Sequence, residues 1–74
     1  MNNKFILIGS VKLVMLGSMV INADGEDLEV LIPADLEDEV KYISSKDLIG
    51  VTGKITTHGL VVNKILGVWG MTLW

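Results

Sequence analysis

The stretch LIGVTGKITT, residues 48–57, has the composition of a β-strand but carries glycine at two interior positions, Gly50 and Gly53. Glycine weakens a regular strand, and inside one it usually marks a bulge, a sharp bend or the close approach of another backbone. An open antiparallel sheet needs few such positions, whereas a small closed sheet must bend its strands strongly. These two glycines, with Gly9 in the first apolar segment, therefore favour a small barrel.

Five segments rich in β-branched and aliphatic residues are separated by turn signals, and one further segment has its apolar residues at helical spacing. The Asp-Gly pair at 24–25 predicts a hairpin between the second and third strands. Pro33 ends the third strand, because proline has no N–H to donate to a neighbouring strand. The predicted strands are 4–14, 19–23, 28–32, 48–57 and 60–68, and the predicted helix is 34–43.

The order of these elements is three strands, one helix and two strands, with no repeat and no linker between them. Five strands with a helix between the third and fourth is the order of the OB-fold, a small Greek-key barrel. We therefore predict an all-β fold with one short helix, a five-stranded OB-fold Greek-key barrel that forms a single domain over residues 1–74.

Apolar packing must stabilise this chain, because its 74 residues include no cysteine for a disulfide or a thiolate metal site. A domain of this size buries only about 60–65% of the surface that its unfolded chain exposes. Half of its residues are hydrophobic and its mean hydropathy is +0.54. We expect part of that apolar surface to form the interface of a homo-oligomer, with a dense β-rich core as the alternative explanation.

The charges are strongly segregated along the chain. Residues 24–39 contain eight of the nine acids and no lysine, a formal charge of −8. The rest contains all six lysines and one acid, Asp47, a formal charge of +5, and the two parts give the net charge of −3. A protein polarised in this way can carry a basic face although it is acidic as a whole, and ordinary solvation of the surface is the alternative.

The N-terminal residues 1–23 are similar to a signal peptide, with a lysine, an apolar stretch and an alanine at position 23. Lys12 interrupts the apolar stretch, and cleavage after Ala23 would remove the best predicted strand. We therefore expect a cytoplasmic protein, and a secreted peptide of the remaining 51 residues is the alternative. No segment reaches the roughly 20 apolar residues of a membrane-spanning helix, so we expect no membrane association.

Two segments, FILIGSV at 5–11 and ADLEDEVKYISSKDLIGVTGKITTHG at 34–59, resemble the bacterial single-stranded DNA-binding protein family. In that family an opening strand contains Gly-Arg-Leu, and a helix leads through a Lys-Lys-Gly-Asp turn into a strand containing Glu-Gly-Arg-Leu. The matching positions are Leu36, Glu39, Val40, Tyr42 and Ile43 in the helix, Lys46 and Asp47 in the turn, and Val51, Gly53, Lys54, Ile55, Thr57 and His58 in the fourth strand.

The resemblance implies an OB-fold protein that binds single-stranded DNA or RNA without sequence preference, in replication or recombination. The chain departs from the family at several points. Ser10 stands where the family usually has arginine, the loops that help to wrap DNA are short, and the flexible tail with an acidic tip and most stacking aromatics are missing. These departures indicate a minimal or divergent relative, of phage or plasmid origin.

Binding a single strand requires cations that follow the phosphates and flat side chains on which bases stack. Trp69 is the candidate for stacking. Tryptophan is equally favoured at protein interfaces, so a role in a protein interface is the alternative for Trp69 and also for Trp74. Phe5 is expected in the core and Tyr42 over the end of the barrel. There is no arginine, so bidentate phosphate contacts are excluded. The candidate phosphate contacts are Lys4, Lys12, Lys54, His58 and Lys64, and the alternative role of the strand lysines is to protect sheet edges from aggregation.

We expect no catalysis, no cofactor and no metal. The acids Glu37, Asp38 and Glu39 read as a solvated helix face, and His58 has no nucleophile or orienting carboxylate near it in sequence. One histidine without cysteine cannot build a zinc site. The alternative function is an oligomeric OB-barrel that serves as a protein-interaction or structural module without binding nucleic acid.

Overall fold

The computed structural model describes residues 3–69, in which five strands enclose one core. The predicted tail beyond Trp69, with Trp74, lies outside the described residues. Between the third and fourth strands the chain forms a 3₁₀ turn, Ala34–Leu36, and a single α-helical turn, α1, Glu37–Val40. The strands are β1 Lys4–Met15, β2 Ser18–Ala23, β3 Glu26–Leu31, β4 Leu48–Thr56 and β5 Gly59–Trp69.

The five strands form one closed sheet in the order β1-β2-β3-β5-β4, and β4 pairs back onto β1. All neighbours are antiparallel except β3 and β5, which run parallel and share two paired positions, Val30 with Leu60 and Leu31 with Val61. The long β1 makes this closure possible, because its first half pairs with β4 and its second half with β2. A mostly β fold with five strands in a closed sheet is confirmed.

Two glycines lie where backbones approach too closely for a side chain. A Cβ at Gly9 would overlap the carbonyl oxygen of Asn22, and a Cβ at Gly53 would overlap that of Val61. The β4–β5 register also shifts beside Gly50 and beside Gly53, so β5 bulges opposite each glycine. Gly9 and Gly53 therefore permit the close approach of neighbouring strands, and the bulges of β5 opposite Gly50 and Gly53 add local bends to the sheet.

The predicted hairpin at 24–25 is present as a two-residue turn. Ala23 pairs with Glu26, and Asp24 and Gly25 have positive φ angles of 53° and 84°. Both central residues of a type I′ turn need positive φ, which explains the Asp-Gly sequence. The third strand consequently begins at Glu26, two residues before the predicted start.

The core fills the space inside the closed sheet with apolar side chains from every strand. Phe5, which was expected in the core, is half-buried and packs against it. Leu36, Val40 and Ile43, from the segment between β3 and β4, are buried and belong to the same core. The seven most deeply buried large side chains are Val11, Met19, Ile21, Val30, Ile49, Val51 and Val62.

The helix is much shorter than the predicted 34–43. Neither helical segment has a side-chain hydrogen bond at its N-terminus. Asp35 and Glu39 are four residues apart, a spacing at which like charges destabilise a helix. After α1 the N–H of Ile43 donates to the carbonyl of Val40 (3.0 Å), and Ile43 turns into the core.

Tyr42, expected over the end of the barrel, is instead 80% exposed. The α-helix ends before it, so Tyr42 is not on the buried stripe of Leu36, Val40 and Ile43.

In residues 3–69 no helix has the length and apolarity that crossing a membrane would require.

Candidate nucleic-acid interface

The outward-facing side chains of β1, β4 and β5 form one continuous surface, which we call the outer face. Residues directly opposite each other in an antiparallel pair share a face of the sheet. The register sets Lys4 opposite Lys54, Ile6 opposite Thr52 and Ile8 opposite Gly50. From β5 the outer face receives Lys64, Leu66 and Trp69.

Three lysines cluster at one end of the outer face. Lys4 lies directly opposite Lys54, and Lys64 lies opposite Thr52, which is two residues from Lys54 on the same strand. All three side chains are exposed. Within residues 3–69 the ion pair present joins Lys41 to Asp38 (3.5 Å), and neither residue belongs to this cluster. Like charges directly opposite each other destabilise a sheet, so an anion bound here would relieve repulsion.

Half of the acids of 24–39 lie in the β2–β3 hairpin, on the side of the closed sheet away from β4. The strand order flanks β4 with β1 and β5 and places β2 and β3 farthest from it. Asp24 and Glu26 lie at the β2–β3 turn, Glu29 lies on β3, and the remaining acids of 24–39 lie in that hairpin or around the helical turns. The acids of the hairpin are therefore separated in space from the outer face, to which β1, β4 and β5 contribute lysines and no acid.

Trp69 lies at the other end of the outer face and is 51% exposed. A Cβ at Gly67 would be 2.9 Å from ring carbons Cζ2 and Cη2 of Trp69, and one at Gly50 would be 3.8 Å from Cζ3. Gly50 and Gly67 are paired across β4 and β5. The two glycines thus form a flat patch of backbone against which the indole rests, with about half of the residue open to solvent.

The structure brings Lys4, Lys54, Lys64 and Trp69 together on one face, and it places the other two predicted residues at its two ends. His58 lies in the β4–β5 turn, beyond the lysine end, where its N–H donates to Thr56 Oγ1 (3.1 Å). The turn is closed further by Thr56 Oγ1, which donates to the carbonyl of Gly59 (3.0 Å). Lys12 lies on β1 beyond Ser10, near the Trp69 end.

Three features of this surface escaped the sequence analysis. Ile6 and Ile8 were read as ordinary strand residues, yet they are 70% and 59% exposed on the outer face. The glycine pair beneath Trp69 could have been suspected from the spacing Gly67-x-Trp69, since residues two apart share a face of a strand. Lys46, read only as a turn residue, lies beside Lys12 around a cavity.

The described part of the chain contains no group of three or more His, Cys, Asp or Glu side chains placed to hold a metal ion. Neither a scan against models of known protein families nor a search of curated proteins found a match to this chain.

Proposed function

We propose that this protein binds single-stranded nucleic acid through the outer face, without sequence preference and without catalysis. In this proposal the closed sheet is an OB-fold barrel, and the protein is a minimal relative of the bacterial single-stranded DNA-binding proteins. The observed strand order, the parallel β3–β5 contact and the helical turns between β3 and β4 support the OB-fold assignment. A cytoplasmic role in replication or recombination, in a phage or plasmid system, follows from the same resemblance.

The main support for the proposal is that a lysine cluster and a half-exposed indole lie on the same face of the sheet. The indole is held in place by its contact with Gly67, and the strands of this face carry no carboxylate. Lys4, Lys54 and Lys64 supply point charges for successive phosphates, and Trp69 supplies a flat surface for a base. Neither contact distinguishes one base from another, because phosphates are identical along a strand and every base has an aromatic face.

Lysine-only binding should depend strongly on salt. Each phosphate neutralised on a single strand contributes about −0.7 to the slope of log affinity against log salt concentration. Three lysines on the outer face therefore predict a slope of about −2.

A second candidate function is suggested by the apolar side chains between the lysines and Trp69. Ile6, Ile8 and Leu66 are at least half exposed, and large exposed apolar patches are typical of protein interfaces. A second copy of this chain could cover them, which would make the barrel an oligomeric interaction module. The two functions differ in what occupies the outer face. Bound nucleic acid should therefore prevent association of two copies through this face, and association should prevent nucleic-acid binding.

The test is fluorescence anisotropy of a labelled dT oligonucleotide of about 30 nucleotides, with Lys54→Glu and Trp69→Ala as variants. Lys41→Glu and Tyr42→Ala are matched controls, because both residues are exposed and lie beside α1 rather than on the outer face. We expect the two outer-face variants to weaken binding and the two controls to leave it unchanged. Absence of binding at low salt, or equal losses in controls and variants, would contradict the proposal.

A further inference from the structure

A cavity of about 630 Å³ lies outside the lysine cluster, between β1 and the turn that precedes β4. It is lined by Ser10, Val11 and Lys12 from β1 and by Ser45 and Lys46 from the turn. Two lysines and two serines thus contribute to the lining, whereas the side chain of Val11 is buried in the core. Cavities of this volume accommodate small organic ligands, and four of the five lining residues have side chains that can donate a hydrogen bond.

Backbone hydrogen bonds hold the turn that contains Lys46 against the part of β1 that contains Lys12. The N–H of Val11 donates to the carbonyl of Asp47 (2.8 Å), and the N–H of Lys46 donates to the carbonyl of Val11 (2.7 Å). The turn therefore extends the β1–β4 ladder beyond the pair Ser10 and Leu48. Val11 is thus bonded to two consecutive residues, Lys46 and Asp47, a bulge in the ladder that places Lys46 beside Val11 and therefore close to Lys12 along β1.

Lys46 is held in an unfavourable backbone conformation, with φ at 78°. A left-handed conformation costs a residue with a side chain about 1–3 kcal/mol, and such strain is concentrated at functional sites. The nearest carboxylate in sequence, Asp47, accepts the N–H of Ser44 through Oδ2 (3.0 Å) and does not line the cavity. The carboxylate of Asp47 is thus hydrogen-bonded to the backbone of its own turn, whereas Lys46 lines the cavity.

A pair of lysines therefore lies near each end of β1: Lys4 faces Lys54 across the ladder, and Lys12 lines the cavity together with Lys46. Eight residues of strand separate the two pairs, a span of about 26 Å. Trp69 lies between them, because it is paired with Leu48 and Leu48 is paired with Ser10 at the rim of the cavity. A nucleic-acid strand that contacts Lys4 and Lys54 and stacks on Trp69 would reach Lys12 and Lys46 if it continued in the same direction along β1.

We propose that the cavity between Lys12 and Lys46 binds a phosphate of the nucleic-acid strand and forms the second anchor of a track along β1. The inference rests on the proposed function and deepens it, since it assigns the path of the strand. At the stacked spacing of about 3.4 Å per nucleotide the track spans about eight nucleotides, and fewer if the strand is extended. That length is within the range of about 4–16 nucleotides bound per OB-fold.

The phosphate could come from the strand or from free inorganic phosphate, and amide NMR of the full chain separates the two. One titration uses inorganic phosphate and the other a dT oligonucleotide of about 12 nucleotides. We expect the oligonucleotide to shift the amide signals of residues 10–12 and 44–47 together with those of Lys54 and Lys64, and inorganic phosphate to shift the cavity signals more weakly. In the Lys12→Gln/Lys46→Gln variant the cavity shifts should disappear while those at Lys54 and Lys64 remain.

The failures of the two proposals are distinguishable. If the oligonucleotide shifts only the amide signals of Lys54 and Lys64, the second anchor is wrong and the proposed function stands. If inorganic phosphate shifts the cavity as strongly as the oligonucleotide, the cavity is a free-phosphate site and the track is wrong. If the oligonucleotide shifts no signal on the outer face, the proposed function and the track both fail.

Two further measurements separate loss of charge from loss of folding. The double variant should lower the magnitude of the salt slope of oligonucleotide binding by about 0.7, the contribution of the one phosphate bound in the cavity, whereas Lys41→Gln should not. Lys46→Gly removes the charge but also the backbone strain. It should therefore unfold at a higher temperature than the original chain and still bind the oligonucleotide more weakly. Unchanged binding by a stable Lys46→Gly variant would overturn the second anchor.

Discussion

The indole of Trp69 rests on the backbone of Gly67, two residues earlier on the same strand. A Cβ at position 67 would lie 2.9 Å from two carbons of the ring, so only glycine permits this arrangement. Gly50, paired with Gly67 across β4 and β5, extends the flat patch. An aromatic side chain that covers strand glycines shields their exposed backbone, and here it also fixes a ring at the surface. The same contact therefore serves the sheet and prepares a stacking surface.

The first prediction concerns this contact. Gly67→Ala should displace the indole and weaken oligonucleotide binding in the same direction as Trp69→Ala. Base stacking on an aromatic side chain is worth about 1–3 kcal/mol, a loss of about 5- to 150-fold in affinity. Trp69→Phe should retain part of the binding, because it keeps an aromatic ring. Binding by Gly67→Ala that equals that of the original chain would show that the position of the ring does not matter.

The second prediction uses the facing lysines at the start of β1. Lys54→Glu converts the Lys4–Lys54 pair from like to opposite charges, and cross-strand pairs of opposite charge contribute about 0.2–1 kcal/mol. The variant should be slightly more stable to chemical denaturation while it binds nucleic acid more weakly. Opposite directions for stability and binding in one variant separate a ligand contact from a structural one. A loss of both would mean that Lys54 has a structural role.

The third prediction compares two glycines of β4. Gly53→Ala would place a Cβ against the carbonyl oxygen of Val61, and overpacking of this kind costs about 1–3 kcal/mol. Gly50→Ala meets its nearest neighbour, Ile8 Cγ1, at an ordinary 3.6 Å. Because glycine inside a strand costs about 0.5–1 kcal/mol relative to alanine, Gly50→Ala should be neutral or stabilising. Denaturant unfolding measures both, and equal stabilities of the two variants would contradict the role assigned to Gly53.

The fourth prediction concerns the apolar side chains of the outer face. Ile8→Thr keeps a β-branched residue on an exposed strand position but removes apolar surface. If two copies associate through this face, the variant should shift the sedimentation equilibrium towards the monomer without a loss of folding. An oligomer that persists unchanged in Ile8→Thr would place the interface elsewhere. Lowering of the oligomer population by the oligonucleotide would show that the two occupants compete.

The sequence predicted the strands well because their signals are local. Alternation of apolar and polar residues, the Asp-Gly turn and Pro33 each act over a few residues, and the observed strand ends differ from the predicted ones by at most two positions. The helix was overestimated for the opposite reason. Leu36, Val40 and Ile43 have helical spacing, but the spacing records only that they are buried on one side, and a turn after α1 achieves the same burial.

The candidate site was predicted residue by residue but not as a surface. The pairing of Lys4 with Lys54 depends on the register of β1 against β4, two strands far apart in the sequence, which no local pattern reveals. Tyr42 was misplaced because its burial depended on a longer helix. Lys46 escaped notice because its relation to Lys12 arises from backbone hydrogen bonds between β1 and a turn more than thirty residues later in the chain.

The affinity of the full chain for a labelled dT oligonucleotide, measured across a series of salt concentrations, shows whether the outer face binds a single strand. The outer-face lysines predict a slope of log affinity against log salt of at least about −2 in magnitude. Lys54→Glu should reduce the magnitude of that slope, and Lys41→Glu should not. Binding that is absent at low salt, or a slope near zero that Lys54→Glu leaves unchanged, would contradict recognition of a single strand by this face.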